Sequence, residues 1–385
     1  MKIAFVVPDN RDEFGQFELL APVFGPAPQA LLDGFAQLPN CEIHVISTTR
    51  QVTANPQKLA PNIFFHSLKL SPWSRLRTLN AGSTLAIRKL LREIRPDIVH
   101  GQGSERYPAI AAACSGFPNL ITLHGIMSEL AKIQKAPPLS WPRITAWVER
   151  RAIRRVDAVI CLSNHAATVI QHLAKKTFVI PNAVADQFFE IHRAPANAIE
   201  IICPAHIYSI KNQPTLIRAL DPLASHSHMP LKLTLLGKLT GDDTSHEVQQ
   251  LAASRPWCHI AGPVDSAEIK EALSRATLLV LPSLEENCPV SILEGMAAGI
   301  PIAASRAGGV PDLIDDGVTG LLFDPRQPDS IRIAIERLLS EPAAAHQFAS
   351  AARQRAENAF RPRAIAARHL EVYAQIARLK DNTTD

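Results

Sequence analysis

Short, uninterrupted runs of apolar, β-forming residues return along this sequence at regular intervals, each followed by a stretch with helical periodicity. Strands covered by helices on both faces have no polar side to alternate with, so a run without alternation marks a parallel sheet buried in an α/β fold. A first series comprises Lys2–Val7, Glu42–Ile46, Asp97–His100, Asn119–Leu123, Ala158–Leu162 and Phe178–Ile180. The pattern restarts near Glu200 with IEIICPA, LKLTLLG, HIAG, TLLVLPS and IPIAAS. Two series predict two domains, 1–183 and 199–360. Between them VADQFFEIHRAPANA lacks periodicity and contains Pro195, which places a linker at 184–198. Beyond it, 361–385 holds RAIAARHLEVYAQIARLK after Pro362, an amphipathic helix with a short polar tail.

A chain of 385 residues exceeds what one core usually serves, in agreement with two domains. Its net charge of +4 is too small for its length to carry a nucleic-acid signature, and none is expected as a partner. Six cysteines stand far apart with no C-x-x-C pair, the pattern of buried free thiols in a reducing compartment. The apolar run in MKIAFVVPDN is short for a secretion signal, and no run of about 18 apolar residues occurs, so a cytoplasmic location is expected.

The segment 279–325, LVLPSLEENCPVSILEGMAAGIPIAASRAGGVPDLIDDGVTGLLFDP, packs strand, loop, helix, strand and glycine turn into a short span. The strand Leu278–Leu281 should stop at Pro282, leaving Ser283–Cys288 as a loop; Pro289 suits the first turn of a helix that Gly299 ends. Glu286 then lies in the loop and Glu294 within the helix. Two carboxylates could each accept paired hydroxyls of one ligand, and backbone N–H groups near Pro289, Val290 and Ser291 could hold its diphosphate. A sugar nucleotide offers all of these groups. Asn287, Cys288 and Gly237, which closes LKLTLLG, are further donor-side candidates. Asp242–Asp243 and Asp315–Asp316 read as turn or solvated residues rather than a metal-binding D-x-D, so neither metal nor cofactor is expected.

Seven residues separate Glu286 from Glu294, and with the flanking PS, LEGMAAGIP and GGVPDLIDDGVTGLL this segment resembles the retaining glycosyltransferases of the GT-B fold. The resemblance is to family 4, the glycosyl transferases group 1. It implies two Rossmann-like domains facing each other across a cleft, acceptor side first and nucleotide-sugar side second, with the terminal helix crossing back to the first. It further implies that Glu294 binds ribose hydroxyls, that Glu286 binds the transferred sugar, and that Gly308 and Gly309 sit nearby. Asp312 stands where the family usually has glutamate. CPAHIYSIKNQPTLIRAL, residues 203–220, is similar to the family's phosphate-side loop; Lys211 matches, while Ala205 and His206 replace the usual Gly-Arg. Lys211 would neutralise the leaving diphosphate; His206 would be either a pH-dependent phosphate partner or a packing residue. ITLHG, residues 121–125, resembles a Thr-x-His-Gly turn and makes His124 a catalytic candidate. His100, Gln102 and Ser104, at the end of a neighbouring strand, are acceptor-side candidates, and Gly25 is the remaining glycine of a phosphate-approaching loop.

WPRITAWVERRAIRR, residues 141–155, sets five arginines and two tryptophans against one glutamate. Two readings are open: a peripheral contact with an anionic membrane, which would suit a lipid-linked acceptor and cell-envelope synthesis, or a basic solvated face with buried tryptophans. Against a transferase acting on a glycan, lipid-linked or small-molecule acceptor stand a nucleotide-sugar epimerase or hydrolase and a non-catalytic sugar-nucleotide-binding protein.

Overall fold

The computed structural model describes residues 1–70, 81–193, 198–226 and 229–381. Two compact units divide the chain: Met1–Ala183 together with Pro362–Asp385, and Val184–Arg361.

The first unit contains β1 (Lys2–Val6), β2 (Glu42–Thr49), β3 (Lys58–Ala60), β4 (Ile63–Lys69), β5 (Ile98–Gln102), β6 (Asn119–Leu123), β7 (Ala158–Cys161) and β8 (Thr177–Val179). They form one sheet in the order β3-β4-β2-β1-β5-β6-β7-β8, parallel except for the β3–β4 pair. Residues of β1 divide alternately between two cores, Ile3 and Phe5 in one, Ala4 and Val6 in the other. Both faces are therefore dry, which is why the strand reads as an unbroken apolar run. β3 and β4 were not expected from the sequence; along β4, IFFHSLK, buried and half-buried residues alternate at first, so the segment lacks the signal of a doubly covered strand.

The terminal helix Pro362–Asp381 belongs to this unit. Ile365, Ala366, Val372, Tyr373 and Ile376 share a core with Leu31 and Phe35 of the helix Pro26–Ala36. At their contact a Cβ on Gly34 would stand 2.1 Å from the Pro362 carbonyl oxygen, so only glycine lets the backbones come this close.

The second unit holds β9 (Ile199–Pro204), β10 (Leu231–Leu236), β11 (Cys258–Gly262), β12 (Leu278–Leu281), β13 (Ile302–Ser305) and β14 (Leu321–Phe323). Their order is β11-β10-β9-β12-β13-β14, parallel throughout. The direction of winding reverses between β9 and β12, and at such a point the loops leaving the carboxyl ends of the two strands part to open a crevice.

The segment expected as a linker is instead folded onto the second unit. Asp186–Phe188 make a 3₁₀ turn, Phe188, Phe189 and Ile191 are buried, and the Val184 N–H donates to the Phe360 carbonyl at 3.0 Å. Three apolar anchors in an aperiodic segment gave no sequence signal, yet their burial holds it; Pro195 lies outside the described residues. All six cysteines are free thiols. Among the described residues no helix is long and apolar enough to cross a membrane.

Candidate functional site

At the reversal between β9 and β12 the two loops are fastened to each other. The Leu284 N–H donates to the Ile210 carbonyl at 2.7 Å. Asn212, left-handed at φ 55°, donates its side-chain amide to the carbonyls of Pro282 and Pro325 at 3.1 and 2.7 Å. Between these ties the 3₁₀ turn Ser209–Lys211 presents Lys211 to Glu286, and Nζ pairs with Oε1. The Ser283 hydroxyl donates to the same Oε1 at 2.7 Å. Burial is the largest influence on Lys211 and works against its charge, but Glu286 together with Tyr208 and Cys203 outweighs it and the net shift is upward, so the ammonium stays protonated. Taking such a pair out of water seldom adds stability, and a binding role explains its presence better than a structural one.

Glu294 sits on the helix Val290–Ala298, which is pressed onto β12 and β13 because Gly295 has no side chain: a Cβ there would stand 3.0 Å from Leu279 Cδ1 and 3.3 Å from Ile302 Cδ1. Gly299 ends the helix in the left-handed conformation at φ 67°. The Glu294 side chain is 8% exposed and has no hydrogen bond or ion pair among the described residues. Burial alone lifts its carboxyl to about 8. Pro289 is the N-cap and no side chain caps the first turn, so the positive end of the helix dipole is left without a capping acceptor. Asn287 and Cys288 are buried just before it. Gly308 closes over this loop: Gly309 N–H donates to the Glu286 carbonyl at 2.8 Å. On the other side, a Cβ at Gly237 would meet the Ala205 carbonyl oxygen at 2.2 Å, so this glycine serves the close approach of two backbones. His206 is exposed and its Nδ1 accepts from the Lys238 N–H at 3.2 Å, which sets it outside the core.

The first unit gathers fewer of the expected residues. His124 Nε2 lies 2.8 Å from Gln102 Oε1, and burial lowers its pKa against the opposing pull of Glu105, leaving a neutral ring. His124, Gln102, Asn182 and His369 line one small cavity with Ala27. His100 does not fit the acceptor side: it is wholly buried, hydrogen-bonded to the Tyr373 hydroxyl at 2.5 Å and to Thr122 at 2.7 Å. The reason is strand length. β5 continues to Gln102, so His100 lies inside the sheet instead of at its end. Ser104 is likewise buried, donating to Glu149 at 2.6 Å. Gly25 is the N-cap of Pro26–Ala36 at φ −63°, with only Pro28 Cδ near a Cβ at 3.8 Å, so neither conformation nor packing demands glycine there.

Residues 184–355 match the family described as glycosyl transferases group 1, and residues 29–188 match glycosyltransferase family 4. The glycogen synthase of Mycobacterium tuberculosis is 30% identical over 294 residues, covering 73% of this chain and 69% of that protein. The chain belongs to the family 4 glycosyltransferases. The MMP alpha-(1->4)-mannosyltransferase of Mycolicibacterium hassiacum is 26% identical over 297 residues, 74% of this chain and 72% of that one. Among solved structures, the sucrose-phosphate synthase of Thermosynechococcus elongatus superposes with a TM-score of 0.77 at 18% identity, covering 98% and 99% of the two chains. The Anabaena protein HepE in complex with UDP-glucose gives 0.71 at 19% identity over 97% and 100%. These likenesses establish the GT-B fold.

In this family 4 enzyme Asp242, Asp315 and Asp316, away from the switch point, have structural partners. Asp242 caps the helix Asp243–Ala253 by accepting from the Ser245 N–H at 2.9 Å; Asp315 pairs with Arg355 and Asp316 with Arg306. Asp312 ends the 3₁₀ turn Val310–Asp312 behind Gly309. Sequence reading missed Asn212, Ser283, His369 and Tyr373. A left-handed Asn next to the matched lysine was the one available hint, since Asn tolerates that conformation.

Gly308 offers a direct test of how the Glu286 loop is held. Its φ is +52° and a Cβ would stand 1.9 Å from the Glu286 carbonyl oxygen, whereas Gly317, at φ +71°, has open space. Gly308→Ala is expected to lose roughly 2–4 kcal/mol and most donor affinity, and Gly317→Ala only about 1–2 kcal/mol from the backbone conformation. Chemical unfolding and donor titration of both variants measure the difference; equal losses would show that the close approach is immaterial.

Proposed function

We propose that this glycosyltransferase moves a hexosyl group from a nucleoside-diphosphate sugar, held by the second unit, to a hydroxyl of a glycan, lipid-linked or small-molecule acceptor, with retention of anomeric configuration. The observation that carries the reading is Glu294, a buried carboxyl with no partner among the described residues, at the carboxyl end of a doubly wound sheet. Paired ribose hydroxyls supply the hydrogen bonds that would offset its burial. Glu286, oriented by Lys211 and Ser283, accepts from hydroxyls of the transferred sugar. As the bond from the anomeric carbon to the phosphate oxygen breaks, its electron pair goes to the diphosphate; the acceptor oxygen bonds to the same face, and the acceptor proton passes to the departing diphosphate. Lys211 and the uncapped helix end supply positive charge where negative charge develops, so the reading calls for no metal ion. His124, neutral and oriented by Gln102, serves as a hydrogen-bond partner to a sugar hydroxyl. A cytoplasmic place of work in polysaccharide or cell-envelope synthesis accords with six free thiols.

Support for the donor class comes from HepE, solved with UDP-glucose, and from the relative named as an alpha-(1->4)-mannosyltransferase. The test is incubation with UDP-, GDP- and ADP-sugars and an acceptor panel, with the product anomer read by NMR. An α-linked product from an α-donor is expected. Epimerised donor, or binding without turnover in every combination, would transfer the protein to the epimerase or binding classes.

A further inference from the structure

We propose that the helix Trp141–Arg155, with the loop that precedes it, is a docking surface for an anionic lipid bilayer. The helix buries Thr145, Ala146, Glu149, Ala152 and Ile153 and turns Trp141, Arg143, Trp147, Arg150, Arg151, Arg154 and Arg155 outward. The reading with buried tryptophans is thereby corrected: Trp141 is 65% exposed, Trp147 is 53% exposed, and Leu139 just ahead of them is 90% exposed. Helical periodicity explains why. Thr145, Ala146, Glu149, Ala152 and Ile153 recur at intervals of three and four and claim the inner face, which leaves both indoles on the arginine side.

The helix has one acid, and it is withdrawn from the outer surface. Glu149 is buried, accepting from the Ser104 hydroxyl at 2.6 Å and from the Met127 N–H at 3.1 Å, so it pins the helix to the unit while the outer face keeps only positive charge. Between this helix and Met127–Ile133 runs a groove lined by Arg143, Trp147, Arg150, Arg151 and Arg154, with Lys132, paired to Glu129 at 2.6 Å, on its far side and no acidic residue in its lining among the described residues. Arg151 lies over the Trp147 ring at 5.2 Å from its centroid. Converging guanidinium groups take phosphodiester headgroups, the indoles suit the interfacial layer, and Leu139, exposed in the turn before the helix, suits the acyl boundary. Duplex nucleic acid would satisfy the arginines but leave Leu139 and Trp141 in water, and this decides for the bilayer. None of the residues assigned to transfer lies on this helix, so the inference stands independently of the donor site.

Sedimentation of the full chain with equimolar phosphatidylglycerol–phosphatidylcholine vesicles tests it, against pure phosphatidylcholine. The comparison is made at about 0.01 M and about 1 M salt, where the screening length is about 30 Å and about 3 Å. Binding is expected to the anionic vesicles at low salt only. Arg150→Ala with Arg154→Ala should lower the partition coefficient about 25-fold, at about fivefold per cation. Trp141→Ser with Trp147→Ser should weaken binding and abolish the blue shift of tryptophan fluorescence on vesicle addition. All four positions are exposed, so unchanged melting curves and donor binding check that the variants are folded. No sedimentation at low salt, partition indifferent to the arginine pair, or binding of duplex DNA without vesicle binding would each overturn the proposal.

Discussion

Lys211→Ala is expected to lower kcat by roughly 10²–10³-fold, the usual loss when a group stabilising developing charge is deleted. The same change should destabilise the second unit by roughly 3 kcal/mol, because Glu286 would stay buried beside Ser283 with no counter-ion. These two effects can be pulled apart. In Lys211→Met with Glu286→Gln no buried charge is orphaned, and stability should return toward the parent value while activity stays lost. Hydrogen exchange at the Leu284 amide, whose bond to Ile210 ties the two loops, reports whether the loops still meet. A kcat near the parent value in Lys211→Ala would sink the role given to the ammonium.

Glu294→Gln should abolish detectable transfer, weaken donor binding by about 100-fold, and still leave a more heat-resistant protein at alkaline pH. The sign follows from the raised carboxyl. Folded Glu294 keeps its proton up to about 8, while the unfolded chain releases it around the ordinary value of 4.5. Across that interval the folded state binds more protons, so the parent loses stability as pH rises, on the order of 3 kcal/mol by neutrality. Glutamine has no such slope, so the gap between the two melting curves should widen from pH 5 to about 8. Donor hydroxyls favour the ionised carboxylate, so binding should expel a proton and tighten by up to about tenfold per pH unit below 8. Calorimetry in two buffers of different ionisation heat measures that proton. Donor affinity flat from pH 6 to about 8, with no proton released, would mean that this carboxyl does not meet the ligand.

The sequence was most informative where backbone rules act locally. β12 has the expected bounds Leu278–Leu281, Pro289 and Gly299 bracket the helix as expected, and the loop bearing Glu286 follows from the proline between them. Lys211 and Glu286 lie far apart in sequence, yet they follow adjacent strands at a winding reversal, so α/β topology alone brings them together. What escaped depended on distances along the chain or on small shifts of register. His100 was misplaced because β5 runs two residues further than expected. Tyr373, which holds it, comes from the far end of the chain, and His369 reads in sequence as one more member of an amphipathic helix. Phe188 and Phe189 sit in a segment without period, where burial leaves no pattern to read. The facing of Trp141 and Trp147 turned on which helical stripe the small residues would claim, and an indole suits either side.

Because Ile365, Ala366 and Tyr373 complete the core built on Pro26–Ala36, the first unit is assembled from two stretches with the whole of the second unit between them in sequence. During synthesis Val184–Arg361 emerges as one contiguous stretch and can fold while its predecessor still lacks a wall. The residues made before that stretch must therefore wait, with part of their apolar surface open to chaperones, until the 20-residue helix Pro362–Asp381 leaves the ribosome.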